Sequence, residues 1–420
     1  MKKITLLFAA ALAFAACQKE SVKDNAPVSA SEIVFNLDVN YASDTKAVKT
    51  AFTEGDKLFI FFEGVTSGYF TSVSDANGVF ASAQLNGTVT VNDLAESGKS
   101  LTAVFLPYGN DATPSYGSNW TFDKGTDSFF LAANSPYTLT KASGIATLSA
   151  TLTMAAPSNY VQFFVPDVNA SGSIKLACNA VTPSGLASIS ANGTVTEVSS
   201  GTQGAFMTAY AATVGSDKGY YASGKLAATP GTEYYIAIEE GSKYSDYGIH
   251  TNSALANNAA IKLSAINEVG PQKYTKNKVG GKTWATVNVG ASKPWQYETP
   301  QHKWKGENNS DWTMIASGEG MPEKTDFEAL VNNCHHSWIS IAGVKGYIVI
   351  DNAATPTGGY MFLPASGWSS DFAGISGRYW SRTESTSTLK AWSLYFSSSG
   401  FSVGDFNWNV TYSVRPLQNS

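Results

Sequence analysis

Few residues in the chain could do covalent or coordination chemistry. There are three cysteines, Cys17, Cys178 and Cys334, and four histidines, of which His335 and His336 adjoin Cys334. A thiol needs an activating neighbour to act as a nucleophile, and no nucleophile elbow, Gly-rich phosphate loop, zinc motif or paired acid/base carboxylate accompanies these residues. Cys334 also completes an i, i+3, i+4, i+7 series with Phe327, Leu330 and Val331, the buried stripe of a helix that Pro322 would start. It is expected to be a small core residue. Adjacent histidines at the end of that helix diverge, and no second ligand pair accompanies them. No catalytic residue, cofactor or metal is therefore assigned, and the chain reads as a binding or structural protein rather than an enzyme.

The other chemistry within reach is recognition of sugars, which needs aromatic faces for the rings and amides or carboxylates for the hydroxyls. Gly404-Asp405-Phe406-Asn407-Trp408-Asn409 offers that mixture in a loop expected between a strand through Trp392, Leu394 and Phe396 and a final strand through Tyr412 and Val414. Asp405, Asn407 and Trp408 are the candidates there, with Trp368 after Ala365-Ser366-Gly367 as another. Each tryptophan has a competing place in the core, where Trp284, Trp380 and Trp392 are expected.

Cys17 is a different case. Lys2-Lys3, an apolar stretch from Ile4 to Phe14 and then Ala15-Ala16-Cys17 follow the order of a secretory signal. A membrane-spanning helix needs about 20 apolar residues, and this stretch gives way at once to Gln18-Lys19-Glu20. Phe14-Ala15-Ala16-Cys17 resembles a bacterial lipobox, in which the thiol takes a diacylglycerol and becomes the new N-terminus. Several acyl chains anchor stably where one does not, so an outer-membrane lipid anchor is expected; the alternative is an ordinary signal with an incidental cysteine. Lys19-Glu20 resembles a short charged signal for surface display, or is simply part of a solvated tether.

At 420 residues the chain has room for two or three domains. Its net charge of −5, with 15% charged residues and no run of Lys or Arg, leaves no footprint for nucleic acid. Abundant Ser, Thr, Gly, Asn, Tyr and Phe favour short strands and turns, hence a mainly β fold. After the signal peptide (1–17) and a polar tether (18–31), Ile33, Phe35, Leu37, Val39 and Tyr41 alternate with polar neighbours and Val34 in a strand with one apolar face. The linker Ser43-Asp44-Thr45-Lys46-Ala47-Val48-Lys49-Thr50 leads to a second strand at 57–62, and strand-and-turn segments continue to about 265. They are read as two β-sandwich units, 32–160 and 161–267. Nine of the ten tryptophans lie beyond residue 280, which, with the breakers in Asn267-Glu268-Val269-Gly270-Pro271, marks a separate α+β unit at 268–420. Cys178 and Cys334 then fall in different units, and no disulfide is expected.

Two family resemblances follow from these segments. The lipobox, the alternating first strand, the basic linker and Lys49-Thr50-Ala51-Phe52-Thr53-Glu54-Gly55-Asp56-Lys57-Leu58 resemble the Bacteroidetes fimbrillins, a family of Mfa-like pilin lipoproteins. Residues from about 275 to 418 resemble the Fibrobacter succinogenes major paralogous domain, whose fold is akin to C-type lectins. The segments that carry this are Gly281-Lys282-Thr283-Trp284-Ala285, Met321-Pro322-Glu323-Lys324-Thr325-Asp326-Phe327-Glu328-Ala329-Leu330, Phe362-Leu363-Pro364-Ala365-Ser366-Gly367, Gly377-Arg378-Tyr379-Trp380-Ser381 and Tyr412-Ser413-Val414-Arg415. Glu323 replaces a usual capping Thr and Arg382 a usual Ser; the weaker cap is expected to fray the helix start by about 1 kcal/mol.

The fimbrillin resemblance implies that a protease cuts after a basic linker residue, here Lys46 or Lys49 where many relatives have Arg. The strand bearing Ile33, Phe35, Leu37, Val39 and Tyr41 would be lost, and a strand from another fimbrillin subunit would fill the groove. Stalk subunits ordinarily donate a C-terminal strand, whereas this chain continues into a whole domain, which implies a tip or accessory subunit binding a surface ligand such as a glycan. The alternative is an outer-membrane surface lipoprotein that binds glycans independently of any pilus. The lectin resemblance brings no recognisable Ca²⁺ ligand spacing, and the oxidase that shares the fold relies on cysteines acting together, whereas this domain has Cys334 alone.

Overall fold

The structure, a computed structural model, describes residues 33–41, 51–80, 83–106, 113–123, 131–142, 145–155, 160–184, 186–198, 201–214, 217–256, 259–263, 273–297, 301–352, 358–368 and 372–419. Cys17, the 18–31 tether, Lys46, Lys49 and the junction at 267–268 lie outside the described residues. The fold is mainly β, with one α-helix, Lys324–Asn333, among the described residues, and no described helix is long and apolar enough to cross a membrane.

The first strand, Ile33–Tyr41, runs parallel to Ile145–Met154 at the edge of a three-stranded sheet, in register from Ile33 opposite Ala146 to Tyr41 opposite Met154. Alternation decides which face is buried: Phe35 is 3% exposed and Ile33, Leu37 and Val39 pack against the same core, while Val34, Asn36, Asp38 and Asn40 face solvent. The side chain of Tyr41 falls outside the described set.

Opposite lies a five-stranded sheet with Lys57–Phe62 at its centre. Leu58, Ile60 and Phe62 enter the core shared with the first strand. Phe59 and Phe61 point the other way, into a second core with Trp120, Phe122, Ala187 and Ile189. A strand covered on both faces loses the alternation of a half-exposed one, which is why Lys57–Phe62 reads as an unbroken apolar run. The covering layer is composite, because Trp120–Asp123 pairs with Leu186–Ile189 from much later in the chain.

Next comes an eight-stranded sheet whose core face carries Phe163, Leu176, Cys178, Tyr220 and Ile236. Both Cys178 and Cys334 are free and buried, and burial pushes each thiol up to about 12. For Cys334 the nearby Asp351 carboxylate adds to the effect of burial. Neither is a thiolate at neutral pH.

In the C-terminal unit two three-stranded sheets flank the helix. Phe327 and Leu330 enter its core with Trp284 and Cys334, as the helical spacing predicts. Two expectations need correction. The helix stops at Asn333, so Cys334 opens the strand Cys334–Ile341, and His335 and His336 are strand residues rather than helix-end residues. The helix start is also held where fraying was expected. Glu323 N–H donates to the Asp326 carboxylate at 2.8 Å, Lys324 N–H donates to Thr383 Oγ1 at 3.0 Å, and the side chains of Glu323 and Arg382 form an ion pair. Glu323 and Arg382 thus touch each other.

Arg415 is fully buried at the centre of this unit. Its guanidinium donates to Asn288 Oδ1 at 2.6 Å, to the Ala285 carbonyl at 3.0 Å and to the Phe362 carbonyl at 2.9 Å. Such a group is tolerable inside only when its donors are occupied.

The outer face of the eight-stranded sheet packs on the C-terminal unit. Ala177, Tyr235, Ala237 and Tyr244 meet Trp295, Ile339, Ile341, Ile348, Ile350 and Phe362 in one buried cluster. At its rim Lys293 and the Trp295 indole both reach Glu239 Oε1, at 2.8 and 3.0 Å. Two glycines permit the close approach: a Cβ on Gly204 would lie 1.9 Å from the Ser340 carbonyl oxygen, and one on Gly248 would lie 2.4 Å from Tyr360 Cγ and 2.5 Å from its Cβ. These Tyr360 atoms are next to the backbone and cannot swing aside. Gly248→Ala is accordingly expected to cost about 1–3 kcal/mol through overpacking, read as a lowered midpoint in urea unfolding followed by tryptophan fluorescence; an unchanged midpoint would show that the seam yields freely.

Candidate ligand-binding site

The C-terminal sheet formed by Ser376–Glu384, Lys390–Ser397 and Gly400–Asn407 has two unlike faces. Tyr379, Leu394, Phe396 and Phe401 point toward the helix and the core. Strand alternation places Arg378, Trp380, Tyr395 and Phe406 on the other face.

Arg378 is the organising charge there. Its guanidinium lies 4.3 Å from the Phe406 ring centroid, 5.0 Å from Tyr395, 5.3 Å from Tyr412 and 5.4 Å from Trp368. Nη1 donates to the Tyr412 hydroxyl at 2.6 Å, and Nε is buried without an acceptor among the described residues. Among the described residues no carboxylate forms an ion pair with it. The cation is thus held mainly by ring faces, each worth about 0.5–2 kcal/mol; with Nε buried, a ligand would have to reach the outer guanidinium nitrogens.

The aromatic band continues away from Arg378 into a buried cluster that includes Trp380 and Tyr412, with Trp304 and Phe406 packed against it. Trp380 stacks on Tyr412 with centroids 4.2 Å apart, and Trp304 stacks on Trp408 at 5.2 Å with planes 8° apart. Trp304 is fixed by its indole N–H, which donates to the Ser381 carbonyl at 3.0 Å. At the other end Trp368 rests on Phe372 with centroids 4.5 Å apart and remains 37% exposed.

The four residues proposed from sequence do not form one site. Trp368 and Trp408 belong to this band, at different places along it. Asp405 points to the opposite face, where it accepts from Ser385 Oγ at 2.7 Å and lies 3.6 Å from Lys390 Nζ. The Ser385 hydroxyl, with the Lys390 ammonium, holds its carboxyl below the ordinary range. Asn407 accepts the Asn409 N–H at 2.9 Å and shapes the turn. The supposed loop is shorter than expected, since Gly404 to Asn407 complete the strand Gly400–Asn407. Trp284 and Trp380 are core residues as expected, whereas Trp392 is half-buried beneath the Lys324 ammonium, 4.0 Å from its ring.

Sequence reasoning missed Arg378, Tyr395, Phe406 and Trp304 as one assembly. Alternation in Gly377-Arg378-Tyr379-Trp380-Ser381 signals that Arg378 and Trp380 share a face. Nothing local signals which rings surround the guanidinium.

No family model and no curated protein matches the chain. Among solved structures it is similar to a provisionally assigned cell adhesion protein of Bacteroides ovatus, at 14% identity over 57% of this chain and 94% of the other, with a TM-score of 0.32. A fimbrial protein of Bacteroides ovatus matches at 14% identity over 94% of this chain and 99% of the other, with a TM-score of 0.26. A provisionally assigned cell adhesion protein of Bacteroides thetaiotaomicron matches at 9% identity over 55% and 91%, with a TM-score of 0.25. Superpositions at these scores do not define a shared fold.

The aromatic enclosure makes a specific demand on Arg378, because a flat guanidinium can lie against several rings while an ammonium covers one. Arg378→Lys is expected to lower stability by about 1 kcal/mol, measured by chemical denaturation. Equal stability of the two forms would mean that the rings contribute nothing to holding the charge.

Proposed function

We propose that the chain is an adhesive subunit of a surface fimbria, at the tip or as an accessory subunit. In this reading it is anchored in the outer membrane through lipidated Cys17 during export and joined to other fimbrillin subunits by strand donation. The C-terminal unit carries the adhesive role without catalysis, with a sugar stacking on Trp368 or Trp408 and a polar or acidic group reaching Arg378. The observation that supports assembly is the first strand: it is an edge strand, held by one parallel neighbour, with Phe35 set into the core and an alternating outer face in solvent. Backbone pairing plus alternate side chains in pockets is the currency of strand addition. Thr411–Tyr412 and Leu417–Gln418 pair with His302–Lys303 and Glu319–Gly320 of their own unit, so these two strands are not free to be donated.

A second reading, a surface lipoprotein that binds glycans on its own, is favoured by how well the first strand already fills its place. A strand kept there leaves no groove for a donor. N-terminal sequencing of protein sheared from the cell surface separates the two: a start at Ala47 or Thr50 is expected for the fimbrial subunit, and a blocked or Cys17 start sinks cleavage. On a glycan array the full chain is expected to bind at least one sugar class, with Trp408→Ala and Arg378→Ala each weakening it by about tenfold or more. Binding unchanged by both substitutions would remove this face from the adhesive role.

A further inference from the structure

His335 and His336 diverge, as neighbours on a strand must. His336 lies over the Phe401 ring, with centroids 4.7 Å apart. His335 faces the seam and meets two residues of the eight-stranded sheet, Glu233 and His250, which sit opposite each other in the pairing of Glu233–Glu240 with Lys243–His250. The His250 and His335 rings stack with centroids 3.6 Å apart and planes 9° apart. His250 Nδ1 is 3.1 Å from Glu233 Oε1, and one ligand atom from each of the three residues lies within 4.8 Å of the others.

We propose that Glu233, His250 and His335 bind one zinc-class divalent cation that ties the C-terminal unit to the eight-stranded sheet. Two imidazole nitrogens and one carboxylate oxygen suit Zn²⁺, Co²⁺ or Ni²⁺ rather than Ca²⁺ or Mg²⁺, which take oxygen ligands. The carboxylate is already oriented from behind: Ser337 Oγ donates to Glu233 Oε2 at 2.5 Å and Thr232 Oγ1 donates to Oε1 at 2.9 Å. Such outer partners are the usual support of a metal ligand. Among the described residues no hydrogen bond reaches the ring nitrogens of His335, so a cation displaces nothing there. At His250 it takes the place of the proton between Nδ1 and Glu233: a neutral imidazole then carries its proton on Nε2, and an imidazolium releases one proton to solvent. Stacked rings have parallel lone pairs, so both imidazoles turn about their side-chain bonds to bring nitrogens to about 2.0–2.1 Å from the ion. Three protein ligands leave the fourth tetrahedral position to water.

This site is independent of the fimbrial reading and is tested on the full chain in detergent, stripped with a chelator and titrated with Zn²⁺ and Co²⁺. One ion per chain is expected by calorimetry, with the visible absorption of tetrahedral Co²⁺ and a rise of about 5 °C in the thermal midpoint at saturating Zn²⁺. His335→Phe keeps a ring on His250 but cannot ligate, and is expected to weaken Zn²⁺ binding about 100-fold, while His336→Phe leaves it unchanged. Absence of Zn²⁺ binding by the stripped wild-type chain overturns the proposal, as does equal affinity in His335→Phe. Should that variant misfold, His250→Gln is held to the same comparison.

Discussion

The packing of Tyr235 on Phe362, with ring centroids 5.3 Å apart and planes inclined by 25°, lies within the buried cluster that joins the eight-stranded sheet to the C-terminal unit. Both residues are fully buried, and they come from the two sheets that meet at the seam. Small residues around them, Ala177 and Ala237, together with Gly204 and Gly248, let the sheets approach closely enough to exclude water. An apolar seam of this kind suppresses the motion expected between units joined only by a linker. It also creates chemistry that neither side has alone, because Glu233 and His250 lie on one bank and His335 on the other.

Two arginines of the C-terminal unit show how differently one side chain can be accommodated. Arg415 is sealed inside and satisfied by two carbonyls and an amide oxygen. Among the described residues Arg378 lies against four ring faces with one hydroxyl acceptor and a buried Nε that has none. The first is a fastening of the fold; the second is held by rings more than by acceptors. In sequence both are an arginine beside an aromatic or apolar strand segment, and only the partners distinguish them.

How far the chain could be read in advance follows from where each residue's partners come from. The first strand is legible because one face is dry and the other wet, so the period shows directly. Lys57–Phe62 is identifiable as a strand, but the presence of a layer on each side is not, since the covering residues Ala187 and Ile189 arrive from far along the chain. The helix through Phe327 and Leu330 is legible, yet its end is not, because Cys334 continues the apolar spacing while beginning a strand. Glu323 looks like a poor cap until Thr383 and Arg382 are placed beside it. The loop proposed around Asp405 failed for a related reason: strand pairing through Asn407 sends Asp405 and Phe406 to opposite faces.

The parallel pairing of Ile33–Tyr41 with Ile145–Met154 has a mechanical side. Nine residue pairs run side by side in the same chain direction, all of them along one edge of one neighbour. A pull along its axis loads those pairs together in shear, whereas a pull across the sheet peels them apart one after another. The first strand would therefore resist tension along its axis far better than a sideways tug, and the direction of force would govern how readily it leaves the sheet.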